Sequence, residues 1–326
     1  MTSGLHKRFR SVSEVHPNQQ WEHLYQASKS HYIQWFLKEG EFNRPSYREC
    51  ARALETYMPE LVPMWKHLVT LSGGGDLNAR MLSLYCHTPF ASGCSQAVWT
   101  RYQPILVRNY DYDINKCEGL ILKSRWHDTE VIGSTDCLWG ILDGMNAHGL
   151  AGSLSFGGRD EIGAGFAISL ILRYVLEFCK TTEEAIAAIC RIPSHMAYNV
   201  TLLDANSHVT TVEISPMGPP EITNHPVAVN HQGEFELTEY TKFCRSYERE
   251  QVLYDRLYDP SITLESFVNG FEYSPLRVTE YGQGLGTLYT AVYNPSLRAM
   301  EYRWPNHKRL YQSFNAFDEG EVDIWY

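Results

Sequence analysis

Gly93-Cys94-Ser95-Gln96-Ala97-Val98-Trp99 opens the period-two part of this chain, and Val107-Arg108-Asn109-Tyr110-Asp111-Tyr112-Asp113 follows on the next strand-like run. A cysteine begins one strand, and an Arg and an Asp stand on its neighbour. Alternation puts Arg108 and Tyr110 on one face and Asn109 and Asp111 on the other, unless a bulge or turn intervenes. Both Arg108 and Asp111 then approach Cys94 only where the strand ends between them.

On the N-terminal side, residues 1 to about 93 read as helical. Trp21 to Leu37 and Tyr47 to Leu71 carry apolar residues at helical spacing, and Pro59 and Pro63 break or kink the second run. Gly73 to Gly75 form a joint, and Asp76 is placed to cap a helix over Leu77 to Tyr85. On the C-terminal side, short β-rich runs cover Ser95–Thr100, Pro104–Arg108, Gly119–Lys123, Leu138–Leu142 and Leu150–Phe156. Two helices follow, one on the Ile168/Ile171/Leu172/Val175 stripe and one after a Thr181-x-x-Glu184 capping box. Strands return at Asn199–Leu203, Val209–Ile214 and Val227–Asn230. Helices then cover Tyr247–Leu257 and a stretch from Leu264, and strands at Thr287–Tyr293 and Ala299–Trp304 close the chain. Hairpin-length connections with grouped helices predict antiparallel sheets with helices stacked outside.

Composition excludes several classes. A net charge of −10 over 326 residues argues against nucleic acid and against an anionic membrane surface. The longest apolar stretch, Gly163 to Phe178, is interrupted by Arg173 and too short to span a bilayer. Lys7, Arg8 and Arg10 lack the apolar core of a secretory signal; they read as a solvated tail in preference to an organelle-targeting signal. The eight cysteines have no pairwise spacing, which predicts a reducing, cytoplasmic setting. No CxxC or HExxH occurs, so neither a metal nor an organic cofactor is expected. Asp111-x-Asp113-x-Asn115 imitates a calcium loop, but Lys116 replaces its glycine and Leu122 its final acid.

The ordered motifs resemble the N-terminal-nucleophile (Ntn) hydrolases of the penicillin acyltransferase and choloylglycine hydrolase type. Gly93-Cys94 is similar to their cleavage junction, and Arg108-Asn109-x-Asp111 to their next-strand signature. Asp143-Gly-Met-Asn-Ala-His-Gly-Leu-Ala151, Ala228-Val-Asn230-His231, Ser246-x-x-Arg249 and Gly286-Thr287 follow in the same order. The resemblance covers roughly residues 50 to 305 and implies an α+β, four-layer αββα sandwich of two antiparallel sheets flanked by helices. It also implies a helical leader over 1–93 and a catalytic portion over 94–326, together one compact domain.

By the same resemblance, cleavage between Gly93 and Cys94 frees an α-amine that serves as base for the Cys94 thiol. Arg108 favours the thiolate, Asp111 holds the amine, and Asn230 offers its amide to the oxyanion. Arg249 supports the site or binds a substrate carboxylate. Ser155 stands where the bile-salt branch has an Asn, and with Asn109 it is a further oxyanion or substrate candidate. The expected substrate is a small acyl amide (an N-acyl amino acid, a penicillin-like amide or an acyl-CoA donor), and a homo-oligomer is compatible with the sequence. Against this stand plainer readings: a buried strand cysteine, an Arg108–Asp111 ion pair, Asn230 as a turn residue, and a silent relative that only binds a ligand or partner.

Overall fold

The computed structural model describes residues 4–137, 139–233 and 238–326. Leu138, the first residue of one expected strand, lies outside them. The chain opens with strand β1 (His6–Glu14) before α1 (Gln19–Phe36), α2 (Tyr47–Tyr57), α3 (Val62–Leu71) and α4 (Asp76–Leu82). Next come β2 (Gly93–Trp99), β3 (Ile105–Tyr112), β4 (Leu120–Ser124), β5 (Val131–Asp136), β6 (Gly140–Asn146) and β7 (Ala151–Phe156). Helices α5 (Ile168–Phe178) and α6 (Thr182–Arg191) lead into β8 (Tyr198–Leu203), β9 (Val209–Ser215), β10 (Gly218–Thr223) and β11 (Val227–Ala228). Helices α7 (Glu239–Phe243), α8 (Ser246–Tyr258) and α9 (Leu264–Gly270) follow. The last strands are β12 (Thr279–Glu280), β13 (Leu285–Asn294), β14 (Ala299–Trp304), β15 (Lys308–Ser313) and β16 (Gly320–Trp325).

The strands form two sheets. One runs β10-β9-β8-β7-β6-β5-β4-β1-β16, and the other β11-β2-β3-β13-β14-β15 with β12 paired to β13. Every pairing between these strands is antiparallel except β1 with β4. Phe9, Val98, Leu106, Ile132, Met145 and Tyr289 fill the seam between the sheets. Each such buried apolar side chain contributes about 1.5–3 kcal/mol. Helices α1 to α6 pack against the outer face of the larger sheet. Leu253, Leu257 and Phe267 of α8 and α9 cover Ala97, Trp99 and Val107 on the outer face of the smaller one. The result is the expected αββα sandwich.

Four local expectations are corrected. Residues 1 to 93 are not uniformly helical, and Lys7, Arg8 and Arg10 are not a solvated tail. They lie in β1, where Phe9 and Val12 are buried and Arg8 and Arg10 meet Asp323 and Glu321 across β16. The end of the chain adds β15 and β16 beyond the two strands expected. Asp76 does not cap α4; it is the first helical residue, after Gly73, Gly74 and Gly75 at φ +94, +71 and +90, where glycine alone is unstrained. Other local signals hold. Pro59 and Pro63 stand in the first turns of a short 3-10 turn and of α3, where a missing N–H costs nothing. Thr181 Oγ1 accepts from the Glu184 N–H at 3.3 Å. Among the described residues, no helix is long and apolar enough to cross a membrane.

Candidate active site

Strands β2 and β3 pair with Gly93 opposite Asp111 and Cys94 opposite Tyr110. Opposite residues share a face of the sheet. Cys94, Tyr110 and Arg108 therefore look into the seam between the sheets, while Gly93, Ser95, Asn109 and Asp111 look toward α8 and α9.

Strand β3 does not end between Arg108 and Asp111, contrary to expectation, yet both flank the cysteine. Arg108 Nη2 donates to Cys94 Sγ at 3.1 Å on the seam side. On the helical side, a Cβ built on Gly93 would stand 3.0 Å from Asp111 Cβ and 3.4 Å from its Oδ2. The sulfur projects from one face and the backbone of the junction adjoins the other, so an unbroken strand serves both.

Arg108 is fully buried and multiply held. Its Nε donates to Leu154 O at 3.0 Å, and its Nη1 pairs with the equally buried Asp143. Asp143 in turn accepts from Tyr289 Oη at 2.6 Å and from Tyr293 Oη. Asp111 accepts from Arg249 Nη1 at 2.7 Å and from Thr287 Oγ1 at 2.6 Å. Arg249 also gives Nη2 to Asn230 Oδ1 at 2.7 Å, and that oxygen accepts the Cys94 N–H at 2.9 Å. Ser246 and Arg249, three apart on α8 and so on one face, both touch Asn230, since its N–H donates to Ser246 Oγ at 2.8 Å.

The sequence-predicted residues Cys94, Arg108, Asp111, Asn230 and Arg249 thus meet around one peptide bond. The other two candidates are otherwise engaged. Asn109 Nδ2 donates to Phe271 O and Leu276 O at 2.8 and 3.0 Å, on the face away from the sulfur. Ser155 Oγ donates to Val229 O at 2.6 Å. Two contributors were missed. Ser92 Oγ lies 3.9 Å from Cys94 Sγ, and Ser92 O accepts from Asn230 Nδ2 at 3.3 Å. Asp143 stands in a turn motif to which no role was given, although an acid after Ile141-Leu142 in an apolar strand already signals a buried partner. Outside this cluster, Glu183, Asp204 and His208 bring ligand-type atoms within 4.8 Å. There Asp204 accepts from Thr182, Asn206 and His208, which caps a turn and needs no ion.

Burial pushes the Cys94 thiol above its ordinary range, with Arg108 opposing. Burial likewise raises the Asp111 carboxyl, against Arg249 and Thr287. The sulfur is therefore a thiol.

Just upstream, His87 is 1% exposed, and burial with neighbouring His195 pushes it down to about 3. Its Nδ1 lies 2.7 Å from Thr88 O, which fits a neutral ring donating there. The unfolded chain protonates this ring near pH 6.5 and the folded chain does not, so stability falls as pH drops from about 6.5 toward 3. The expected loss from this group is roughly 1.4 kcal/mol per pH unit. Urea unfolding at pH 7 and pH 5 checks it: His87→Phe should remove about one proton from the slope, and an unchanged slope would refute the assignment.

Comparisons with known proteins add the following. The family model described as acyl-coenzyme A:6-aminopenicillanic acid acyl-transferase matches residues 99–309. Penicillin V acylase from Agrobacterium tumefaciens is similar at TM-score 0.47 and 14% identity, over 68% of this chain and 86% of that one. A variant of conjugated bile acid hydrolase from Clostridium perfringens reaches 0.45 and 15%, over 72% and 97%. An N-acylethanolamine-hydrolyzing acid amidase ortholog from Caenorhabditis elegans reaches 0.43 and 17%, over 71% and 98%. A search of the curated proteins finds no match.

Proposed function

The chain belongs to the acyl-coenzyme A:6-aminopenicillanic acid acyl-transferase family, and on that premise we propose that it hydrolyses or transfers the acyl group of a linear, non-peptide amide through a thioester on Cys94. The supporting observation is the convergence on one residue. Cys94 Sγ receives Arg108 Nη2 at 3.1 Å while the Cys94 nitrogen is held by Asn230 Oδ1 at 2.9 Å.

The first reaction is on the chain itself. Cys94 Sγ attacks the Gly93 carbonyl carbon, the C–N bond breaks, and the Cys94 nitrogen takes the thiol proton. Water then hydrolyses the Gly93 thioester, leaving a carboxylate on Gly93 and a free amine and thiol on Cys94. Residues 1–93 and 94–326 become two chains of one folded unit. Asp111, already against Gly93, is placed to accept a hydrogen bond from the new amine.

Catalysis repeats the pattern. The α-amine removes the thiol proton, the thiolate attacks the substrate carbonyl, and charge gathers on its oxygen. Asn230 Nδ2, which in the uncut chain donates to Ser92 O, is released by departure of Ser92 to donate to that oxyanion. The C–N bond breaks as the amine leaves with the proton held by the α-ammonium. Water, or a second amine, attacks the thioester, passes its proton to the α-amine, and the sulfur leaves. Arg108 stays protonated and steadies the sulfur through both halves, held by Asp143.

Intact-mass measurement of the purified protein tests the reading. Two chains divided between Gly93 and Cys94 are expected. A stable single chain would leave Cys94, 0% exposed, without a base, and would favour the ligand-binding alternative.

A further inference from the structure

An oxyanion formed in a buried site is ordinarily met by more than one donor, and removal of either is felt in turnover. Around Cys94 only Asn230 Nδ2 has been placed for that task, because the Ser155 hydroxyl is committed to Val229 O and Asn109 faces away. Tyr240 on α7 supplies the missing element. Its ring meets the Phe156 ring edge-on at 5.3 Å, and Phe156 O is the other acceptor of Asn230 Nδ2, at 3.1 Å. The ring also packs on the small cluster of Cys244, Val278 and Leu285, and Leu285 Cδ1 lies 3.0 Å from where a Cβ on Gly93 would stand. Tyr240 is therefore in the wall of the space around the Gly93–Cys94 junction.

Its hydroxyl is buried and, among the described residues, has no hydrogen-bond partner. Arg249 Nε, which belongs to the same constellation, is buried and unmet as well. Buried donors are nearly always satisfied, so an orphan of this kind marks a strained site, a catalytic role or an absent ligand. Burial above all keeps the phenol protonated and a donor, with the Asp111 carboxylate adding to the effect and Arg249 opposing it.

We infer that Tyr240 is a further catalytic residue whose hydroxyl donates to the substrate carbonyl oxygen together with Asn230 Nδ2. This rests on the thioester reading above. A donor that strengthens its bond only as charge develops acts on turnover more than on binding. Tyr240→Phe deletes the hydroxyl alone and, because that group has no partner among the described residues, leaves folding intact.

The test compares wild type and Tyr240→Phe in acylation by p-nitrophenyl acyl esters and in turnover of acyl amides. Thermal unfolding is followed in parallel. The expected result is a loss of about a hundredfold in the acylation rate, a KM changed less than about twofold, and a Tm equal to or above wild type. An acylation rate within about twofold of wild type overturns the inference alone, as does a change confined to KM or a loss accompanied by a lowered Tm. Ester acylation without amide turnover in the wild type overturns the amide reading while the Tyr240 comparison still stands or falls on the ester rates. A wild-type Cys94 that accepts no acyl group overturns both.

Discussion

Cys94→Ala is expected to leave a folded single chain with amide turnover reduced by at least about 10⁴-fold, because both proposed reactions use the same sulfur. The geometry explains why folding should survive. Cys94 is wholly buried, but among the described residues its sulfur has two hydrogen-bond neighbours, Arg108 Nη2 and Ser92 Oγ. Without the sulfur, Arg108 still has Asp143, Leu154 O and Tyr289 Oη, so no charge is stranded. The remaining cost is that of a cavity smaller than a methionine's, roughly 1 kcal/mol. Intact mass, thermal unfolding and an amidase assay on one preparation settle the matter. Wild-type turnover in the variant would remove Cys94 from the chemistry altogether.

The second large effect is on stability. Arg249→Met should cost about 3–5 kcal/mol, because it leaves Asp111 as a buried carboxylate whose other named partner is the Thr287 hydroxyl. It also frees Asn230 Oδ1 and with it the grip on the Cys94 nitrogen, so processing should slow in the fraction that folds. The deficit has a sign in pH. Burial already raises the Asp111 carboxyl above its ordinary range, and loss of the cation raises it further. A carboxyl that holds its proton longer in the folded chain than in the unfolded one destabilises at neutral pH, and relents as pH falls toward 4. Urea unfolding at pH 7 and pH 5 should therefore show the gap to wild type narrowing. Adding Asp111→Asn should recover part of the loss, since no charge is then left alone. A single-variant cost below about 1 kcal/mol would show that the pair does not hold the site.

These two residues also show what one dimension can convey. Strands β2, β3, β7, β8, β13 and β14 were legible because each has a buried face or a continuous buried run, which local alternation records. Strand β1 was not. Its sequence, HKRFRSVSE, spaces cations between apolar residues as a solvated tail does, and the acids that neutralise them lie more than 300 positions away. No local rule connects Arg8 with Asp323. The site divides the same way. Cys94, Arg108, Asp111, Asn230 and Arg249 were found through the order of motifs, whereas their pairing was not. Arg249 and Asp111 are 138 residues apart, and which guanidinium took which carboxylate depended on the two faces of β3. Asp143 and Tyr240 were passed over because no motif assigns either a role beside the cysteine; sheet packing brings one there, and a five-residue helix the other.

The place of β1 has one more consequence. It lies inside the larger sheet, between β4 and β16, bonded on both edges. Under the proposed cut at Gly93 the strand would stay where it is, and the short chain would remain as an interior stave of the long one. Folding would then be an event available once, while a single covalent thread makes the search for β4 and β16 unimolecular. A matured molecule that unfolds faces a bimolecular return, governed by concentration and by loss of translational freedom. Its persistence would be kinetic: the barrier to leaving, more than the depth of the well, would set its lifetime.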